Sequence, residues 1–173
     1  VLEDCNFESR HLGLVTAEEI GDLQAIVERL ALQAEKSLDL EGLLELANNA
    51  PALDYVSQKL EALGKVKLAI AQDKAFCFYY QDALDLLGEL GAELVPFSPI
   101  TDQHLPECDG LVLGGGYPEL YAKQLAENTS LLAEIKTALA KGLPCFAECG
   151  GFMYLLERYV DEGVTHNWVG AIA

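Results

Sequence analysis

The segment Leu143-Pro144-Cys145-Phe146-Ala147-Glu148-Cys149-Gly150-Gly151-Phe152-Met153 carries an apolar strand through a glycine turn into a predicted helix. Unpaired backbone N–H groups at a helix start, together with the positive end of the helix dipole, favour a thiolate over a thiol. The tight turn also presents the side chain to a substrate. Cys149 is therefore the candidate nucleophile, whereas Cys145, beside the apolar strand, is predicted to be a small buried hydrophobic residue.

Strands and helices alternate through the region that contains this turn. The hydrophobic patterns predict four strands and four helices. The strands lie at 66–71, 93–97, 110–113 and 143–147, and the helices at about 79–90, 118–126, 130–140 and 150–159. Such alternation builds a mostly parallel sheet with helices on both faces. The fold class is therefore α/β.

The residues before the alternation have a different pattern. Thr16 and Glu19 form a capping box that opens a helix to about Ala34, and shorter helices are predicted at 37–47 and 51–63. We therefore divide the chain into a linker and helical annex at 1–63 and an α/β domain at 64–173. The first residue is Val1, which suggests a piece of a longer protein.

Composition narrows the function classes open to this chain. No apolar run approaches the roughly 18 residues that span a membrane, and 28 acidic against 11 basic residues give a net charge of −17. Such a charge disfavours nucleic acid and anionic lipid as partners. The five cysteines show no paired CxxC spacing, so neither a zinc site nor a disulfide framework is predicted. We expect a cytoplasmic protein without a metal site.

A second loop of the predicted sheet suits a nucleophilic cysteine. Gly114-Gly115-Gly116 follows the strand at 110–113, and loops at the carboxyl ends of parallel strands converge. These glycines leave room for a carbonyl group and can turn N–H groups toward developing negative charge. An equally good interpretation is that this loop is a plain strand-to-helix turn, in which the glycines only provide the positive φ that the backbone needs. With Cys149, the N–H groups of Gly115, Gly116 and Gly150 would form an oxyanion hole for acyl transfer through a thioester.

Two motifs resemble a known family. LVLGGGYPELY at 111–121 and AECGGFMYL at 147–155, at this separation, resemble the C-terminal class I glutamine amidotransferase domain of cobyrinate a,c-diamide synthases. Residues 10–15 also resemble the linker that precedes this domain. The resemblance implies a flavodoxin-like class I glutamine amidotransferase fold, truncated here at its carboxyl end.

The resemblance also implies a reaction and a set of site residues. The family consists of ATP-dependent ligases of cobalamin biosynthesis, which amidate the a and c acetate carboxylates of cobyrinate with ammonia from glutamine. By this resemblance Cys149 attacks the glutamine amide, and Tyr117 and Met153 line the glutamine pocket. ATP and Mg²⁺ would bind a preceding domain of the full-length enzyme, which also holds cobyrinate. This sequence has no GxxxxGK[ST] phosphate loop, so we expect no cofactor bound to it.

One part of the family's catalytic apparatus is not recognised in this sequence. Class I amidotransferases activate the cysteine with a histidine near the carboxyl end of the domain, and this chain stops at Ala173. His11, His104 and His166 lie in no triad-like motif, so we predict loop or surface positions for them. We therefore expect little glutaminase activity from this chain by itself.

Two other interpretations of the motifs stay open. A hydrogenobyrinate or nickel-sirohydrochlorin a,c-diamide synthase shares the same motifs, and the sequence does not separate these substrates. A non-catalytic docking domain that keeps the fold without the activity is the alternative from a different class.

Overall fold

The computed structural model describes residues 7, 15–56 and 60–172, and the chain divides into two compact units, Val1–Ser57 and Gln58–Ala173. His11 and most of the predicted linker lie outside the described residues. None of the described helices has the length and hydrophobicity needed to cross a lipid bilayer.

The first unit contains a short 3-10 helix at Ala17–Glu19 and two α-helices, α1 (Leu23–Ser37) and α2 (Leu40–Asn48). The N–H and the hydroxyl of Thr16 both donate to Glu19 Oε2, at 3.4 and 2.6 Å. This pair closes the 3-10 turn instead of opening the long helix, because Asp22 takes a left-handed φ of 53° immediately before α1. The capping box therefore belongs to a separate turn.

The prediction of a helix at 51–63 is wrong for the residues of this segment that the structure describes. Residues 51–56 and 60–63 adopt no helix. Leu53 is 93% exposed and Tyr55 is 81% exposed, so these two apolar side chains are not packed against the protein. A short helix in water depends on packing of its apolar face, and here that contribution is missing.

The second unit holds the predicted alternating region. Its elements, in chain order, are β1 (Val66–Ala71), β2 (Phe76–Phe78), α3 (Gln81–Glu89), β3 (Ala92–Phe97), β4 (Gly110–Leu113), β5 (Gly115–Gly116), a 3-10 helix (Pro118–Tyr121), α4 (Ala122–Glu127), α5 (Thr129–Ala140), β6 (Cys145–Ala147), α6 (Gly150–Tyr154), β7 (Arg158–Asp161) and β8 (Val164–Asn167).

The four predicted strands form one parallel sheet in the order β3-β1-β4-β6. The two central strands are the most buried, as expected of a sheet with helices on both faces. One face packs against the helices between β4 and β6, in a core that includes Leu111, Leu113, Leu125, Leu131 and Ile135. On the other face, half-buried Leu84 and Leu87 of α3 and Val112 of β4 line a groove of about 650 Å³. The predicted α/β fold class is confirmed.

Two small strand pairs depart from the prediction. β2 lies between the predicted strand at 66–71 and the predicted helix at about 79–90, where no strand was expected, and it pairs antiparallel with β5, Phe76 opposite Gly116. The helix predicted at 150–159 ends at Tyr154, and β7 and β8 follow as a hairpin. Glu162 and Gly163 form its turn with φ of 46° and 84°. Such a turn favours a tight hairpin and could have been read from the glycine between two alternating runs.

An aromatic cluster joins this hairpin to the core. The ring of Trp168 stacks on Tyr159 at 5.0 Å between centroids and lies edge-on to Tyr154 at 6.1 Å. Tyr154 also contacts Phe76 at 5.3 Å and is fully buried. Within the described residues, the Tyr154 hydroxyl and Trp168 Nε1 have no hydrogen-bond partner. Burial raises the pKa of Tyr154, so its hydroxyl stays neutral.

We expect Tyr154→Phe to leave the free energy of unfolding unchanged or to raise it by up to about 1 kcal/mol, because it removes a buried polar group without a partner. Tyr154→Ala, which also removes the ring, should cost about 3–5 kcal/mol. Urea denaturation measures both values. A loss of more than about 1 kcal/mol in Tyr154→Phe would mean that the hydroxyl is hydrogen-bonded after all.

Candidate active site

Cys149 stands at a sharp reversal between β6 and α6. Its backbone has φ 48° and ψ −116°, which is rare for a residue with a side chain and stores strain. Glu148 N still donates to Leu113 O at 3.1 Å, as if β6 continued, and Met153 N already donates to Cys149 O at 3.0 Å. The chain therefore turns at Cys149 itself, in the manner of a strained nucleophile elbow.

Close packing explains the two glycines after the cysteine. A Cβ on Gly151 would lie 2.1 Å from the carbonyl oxygen of Leu113, and one on Gly150 would lie 2.7 Å from Cδ of Pro118. Helix α6 can approach β4 and the 3-10 helix this closely only because neither residue has a side chain. The Cys-Gly-Gly sequence thus seats the cysteine against the end of β4.

The glycine loop lies beside the cysteine. The position that a Cβ on Gly115 would take is 3.7 Å from Cys149 Cβ, and the corresponding position on Gly150 is 3.4 Å from Gly116 N. The four residues predicted to form the nucleophile and the oxyanion hole are therefore neighbours. The chain brings them together although they come from two loops more than thirty positions apart.

Backbone hydrogen bonds indicate which N–H groups near the cysteine are not used by the strands and helix around it. Tyr117 N donates to Ala75 O at 2.9 Å, so Phe76 and Gly116 form a non-hydrogen-bonded antiparallel pair. In such a pair the N–H of Gly116 points away from β2. Gly150 is the first residue of α6, and its N–H has no acceptor within the helix. Neither N–H is therefore used by the β2–β5 pair or by α6.

The short length of α6 changes one part of the prediction. The helix has five residues, so fewer peptide dipoles add up at its start than in the predicted helix of ten residues. Cys149 is exposed, which suits attack on a substrate, but the helix dipole contributes less than expected.

Cys145 differs from the prediction that it is buried. β6 is an edge strand of the described sheet, and the residue is exposed beside the apolar groove under α3. Desolvation of the thiol in that groove raises the pKa of Cys145. Its sulfur therefore stays protonated to higher pH than an ordinary thiol, which makes it a poor nucleophile.

The two residues predicted to line a glutamine pocket take different positions. Tyr117 is 1% exposed, and its ring packs edge-on against Phe78 with centroids 5.2 Å apart. Met153 is half buried and packs against the core cluster. Tyr117 therefore has almost no side-chain surface left for a ligand. The pocket assignment stays a prediction for both residues.

Neither described histidine hydrogen-bonds to Cys149. His104 lies in the loop after β3, as predicted, where its Nδ1 is 2.7 Å from Glu134 Oε1. That hydrogen bond holds the pKa of Glu134 below its usual value. His166 is half buried in β8, opposite Tyr159, instead of in a loop. Among the described residues, no three side chains form a metal-binding group.

Two side chains that the sequence did not suggest hold the loops of this site. Asp73 accepts hydrogen bonds from Ala75 N, Phe76 N, Ser98 Oγ and Ile100 N, and so fixes the start of β2 and the chain after β3. Tyr79 bonds to the glycine loop. An aspartate in a short loop is a known turn-forming signal, whereas nothing local in the sequence marks the tyrosine.

Comparison with known proteins identifies the family to which this sequence is similar. The model of the CobB/CobQ-like glutamine amidotransferase domain matches residues 67–173. The chain is 46% identical over 165 residues to a cobyrinate a,c-diamide synthase of Caldanaerobacter subterraneus subsp. tengcongensis, 93% of this chain and 36% of the relative. A cobyrinate a,c-diamide synthase of Synechococcus sp. is 41% identical over 99% of this chain and 39% of the relative. The corresponding protein of Listeria innocua is 44% identical over 93% of this chain and 36% of the relative.

The chain therefore spans little more than a third of the length of these relatives. The family match covers the whole of the parallel sheet except the first residue of β1, and it includes both glycine-bearing loops. On that match and these identities, the chain belongs to the CobB/CobQ-like glutamine amidotransferase family.

Proposed function

We propose that this chain is the glutamine-hydrolysing part of a cobyrinate a,c-diamide synthase and that Cys149 is its nucleophile. The observation that carries the proposal is the elbow at Cys149, whose side chain lies against Gly115 while the N–H groups of Gly116 and Gly150 are left as donors. A strained, exposed cysteine beside two such donors suits addition to an amide carbonyl.

The reaction follows from this arrangement in two halves. The Cys149 thiolate adds to the side-chain carbonyl carbon of glutamine, and the oxygen takes the electron pair of the C=O bond while facing the N–H donors. Collapse of this intermediate breaks the C–N bond, the nitrogen takes up a proton and leaves as ammonia, and a thioester remains. Water then adds to the thioester, releasing glutamate and the thiol.

A base must accept the thiol proton and return it to the leaving nitrogen. The resemblance implies a histidine for this role, and neither His104 nor His166 bonds to the cysteine. We infer that the base comes from outside the described residues. Asp73 and Tyr79 hold the surrounding loops and are not candidates for it.

The acceptor half of the reaction belongs to the remaining part of such a protein. We propose that cobyrinate, ATP and Mg²⁺ bind there, because the matched segment is only 36 to 39% of each relative. The residues of this chain do not fit those cofactors: it has no GxxxxGK[ST] loop, and the described part has no cluster of metal ligands. We therefore derive no step through ATP or Mg²⁺ from this structure.

The proposal is tested on the longest natural chain that carries this sequence. We expect it to release glutamate and ammonia from glutamine, and we expect a chloroketone analogue of glutamine to alkylate Cys149 first. Cys145 and Cys108 should react slowly, because desolvation raises the pKa of both thiols and keeps them protonated near neutral pH. Peptide mapping by mass spectrometry identifies the modified residue.

Competition with glutamine provides the control for that labelling. Glutamine should protect Cys149 and leave the slow reaction of Cys145 unchanged. Equal labelling of Cys145, Cys77 and Cys149 would contradict the proposed nucleophile. Absence of both hydrolysis and selective labelling would favour the docking-domain alternative, and the identity of the amidated tetrapyrrole would decide between cobyrinate, hydrogenobyrinate and nickel-sirohydrochlorin.

A further inference from the structure

Tyr79 connects the central strand of the sheet to the glycine loop. It lies between β2 and α3, and its hydroxyl donates to Ala71 O, at the end of β1, over 2.6 Å. The same oxygen accepts a hydrogen bond from Gly114 N over 2.9 Å. One phenol therefore pairs a carbonyl at the end of β1 with an N–H of the glycine loop.

The packing around this bridge is close. A Cβ on Gly114 would lie 2.6 Å from Cζ of Tyr79 and 2.8 Å from its hydroxyl oxygen, so only glycine lets the ring reach the loop. Burial raises the pKa of Tyr79 to about 12, with the nearby charges of Asp73 and Glu148 adding to the effect. The hydroxyl thus keeps the proton that it donates to Ala71 across the physiological range.

The bridge has a consequence for the residues that follow. Gly114 directly precedes Gly115, which lies against Cys149, and Gly116, whose N–H is turned away from β2. A loop of three glycines has more backbone freedom than any other tripeptide, so it needs external restraints to keep a fixed direction. Pairing of β5 with β2 restrains one end of the loop, and Tyr79 restrains the other.

We propose that Tyr79 is a positioning residue that sets the direction of the oxyanion-binding loop, through its hydrogen bonds to Gly114 and Ala71. This inference rests on the proposed glutaminase function. Removal of the hydroxyl leaves Gly114 N–H and Ala71 C=O without their partner and frees the loop to rotate. The substitution therefore weakens the stabilisation of the negatively charged intermediate. It leaves the binding of neutral glutamine and the reactivity of the thiol unchanged.

Tyr79→Phe and Tyr80→Phe form a matched pair for the test, in the longest natural chain that carries this sequence. Tyr80 is the adjacent residue and is 83% exposed. We expect Tyr79→Phe to lower kcat for glutamine hydrolysis about 10- to 100-fold with KM changed less than about 2-fold. Alkylation of Cys149 by iodoacetamide, which forms no oxyanion, should keep its rate. Tyr80→Phe should match the wild type in all three measurements.

Equal kcat values for the two variants would overturn the proposal. So would a parallel fall of hydrolysis and iodoacetamide alkylation, because that result would place the effect on the thiol or on the fold. If Tyr79→Phe does not fold, amide hydrogen exchange of the wild-type protein decides: protection of the Gly114 N–H supports the bridge, and exchange at the rate of a free peptide refutes it. The exchange measurement also tests the bridge if the wild-type chain hydrolyses no glutamine, a result that would count against the proposed function alone.

Discussion

Replacement of Cys149 by serine is expected to lower glutamine hydrolysis at least about 1000-fold. A serine hydroxyl at the same elbow is a far weaker nucleophile, since it is protonated at neutral pH and depends wholly on a strong general base. Release of glutamate from glutamine measures the effect. Cys145→Ser is the matched control and should stay within about 2-fold of the wild type, because Cys145 lies in the groove under α3 and its raised pKa keeps it protonated.

The same variant separates the two halves of the proposed reaction. With ammonium supplied in excess, Cys149→Ser in the longest natural chain should still amidate the acceptor, because free ammonia bypasses the glutamine site. Loss of ammonium-dependent amidation as well would mean that the substitution disturbs the whole protein. Retention of glutamine hydrolysis would exclude Cys149 as the nucleophile.

Alanine at Gly151 is expected to produce the largest loss of stability among single methyl additions at the elbow. Its Cβ would stand 2.1 Å from the carbonyl oxygen of Leu113, which belongs to a central strand and cannot move freely. Helix α6 must then shift away from β4, at a cost of about 2–4 kcal/mol. Because the shift also carries Cys149 away from Gly115, glutamine hydrolysis should fall with it.

Gly88→Ala provides the control for this substitution. Gly88 is exposed in α3, and a Cβ there would meet nothing within 4 Å. Alanine should raise the free energy of unfolding by about 0.5–1 kcal/mol through helix propensity alone. Urea denaturation of both variants measures the difference. Equal stability of Gly151→Ala and Gly88→Ala would show that the elbow is not packed as tightly as described.

The strands were predictable because their pattern is local. β1 and β4 are short apolar runs next to glycine or polar turns, and both lie where the pattern predicts. The prediction of a helix at 51–63 is wrong for the opposite reason, since described apolar residues of that segment such as Leu53 and Val56 stay more than 80% exposed, and a short helix depends on packing. The helix prediction is wrong at 155–159 because residues 155–157 bond to the backbone of the segment at 168–172, while Arg158 and Tyr159 pair with β8. Helical spacing in the sequence does not reveal such contacts.

The features of the candidate site likewise divide into those that local sequence predicts and those that only the fold brings about. The sequence by itself determined that Cys149 sits at a strand-to-helix turn and that a glycine loop ends a neighbouring strand, because both features depend on a few adjacent residues. Only the tertiary structure decided that the cysteine lies against Gly115, that α6 is short and that Tyr79 reaches Gly114, 35 positions away. Such contacts depend on the order of strands and on close packing across the sheet, and neither produces a recognisable pattern in a short stretch of sequence.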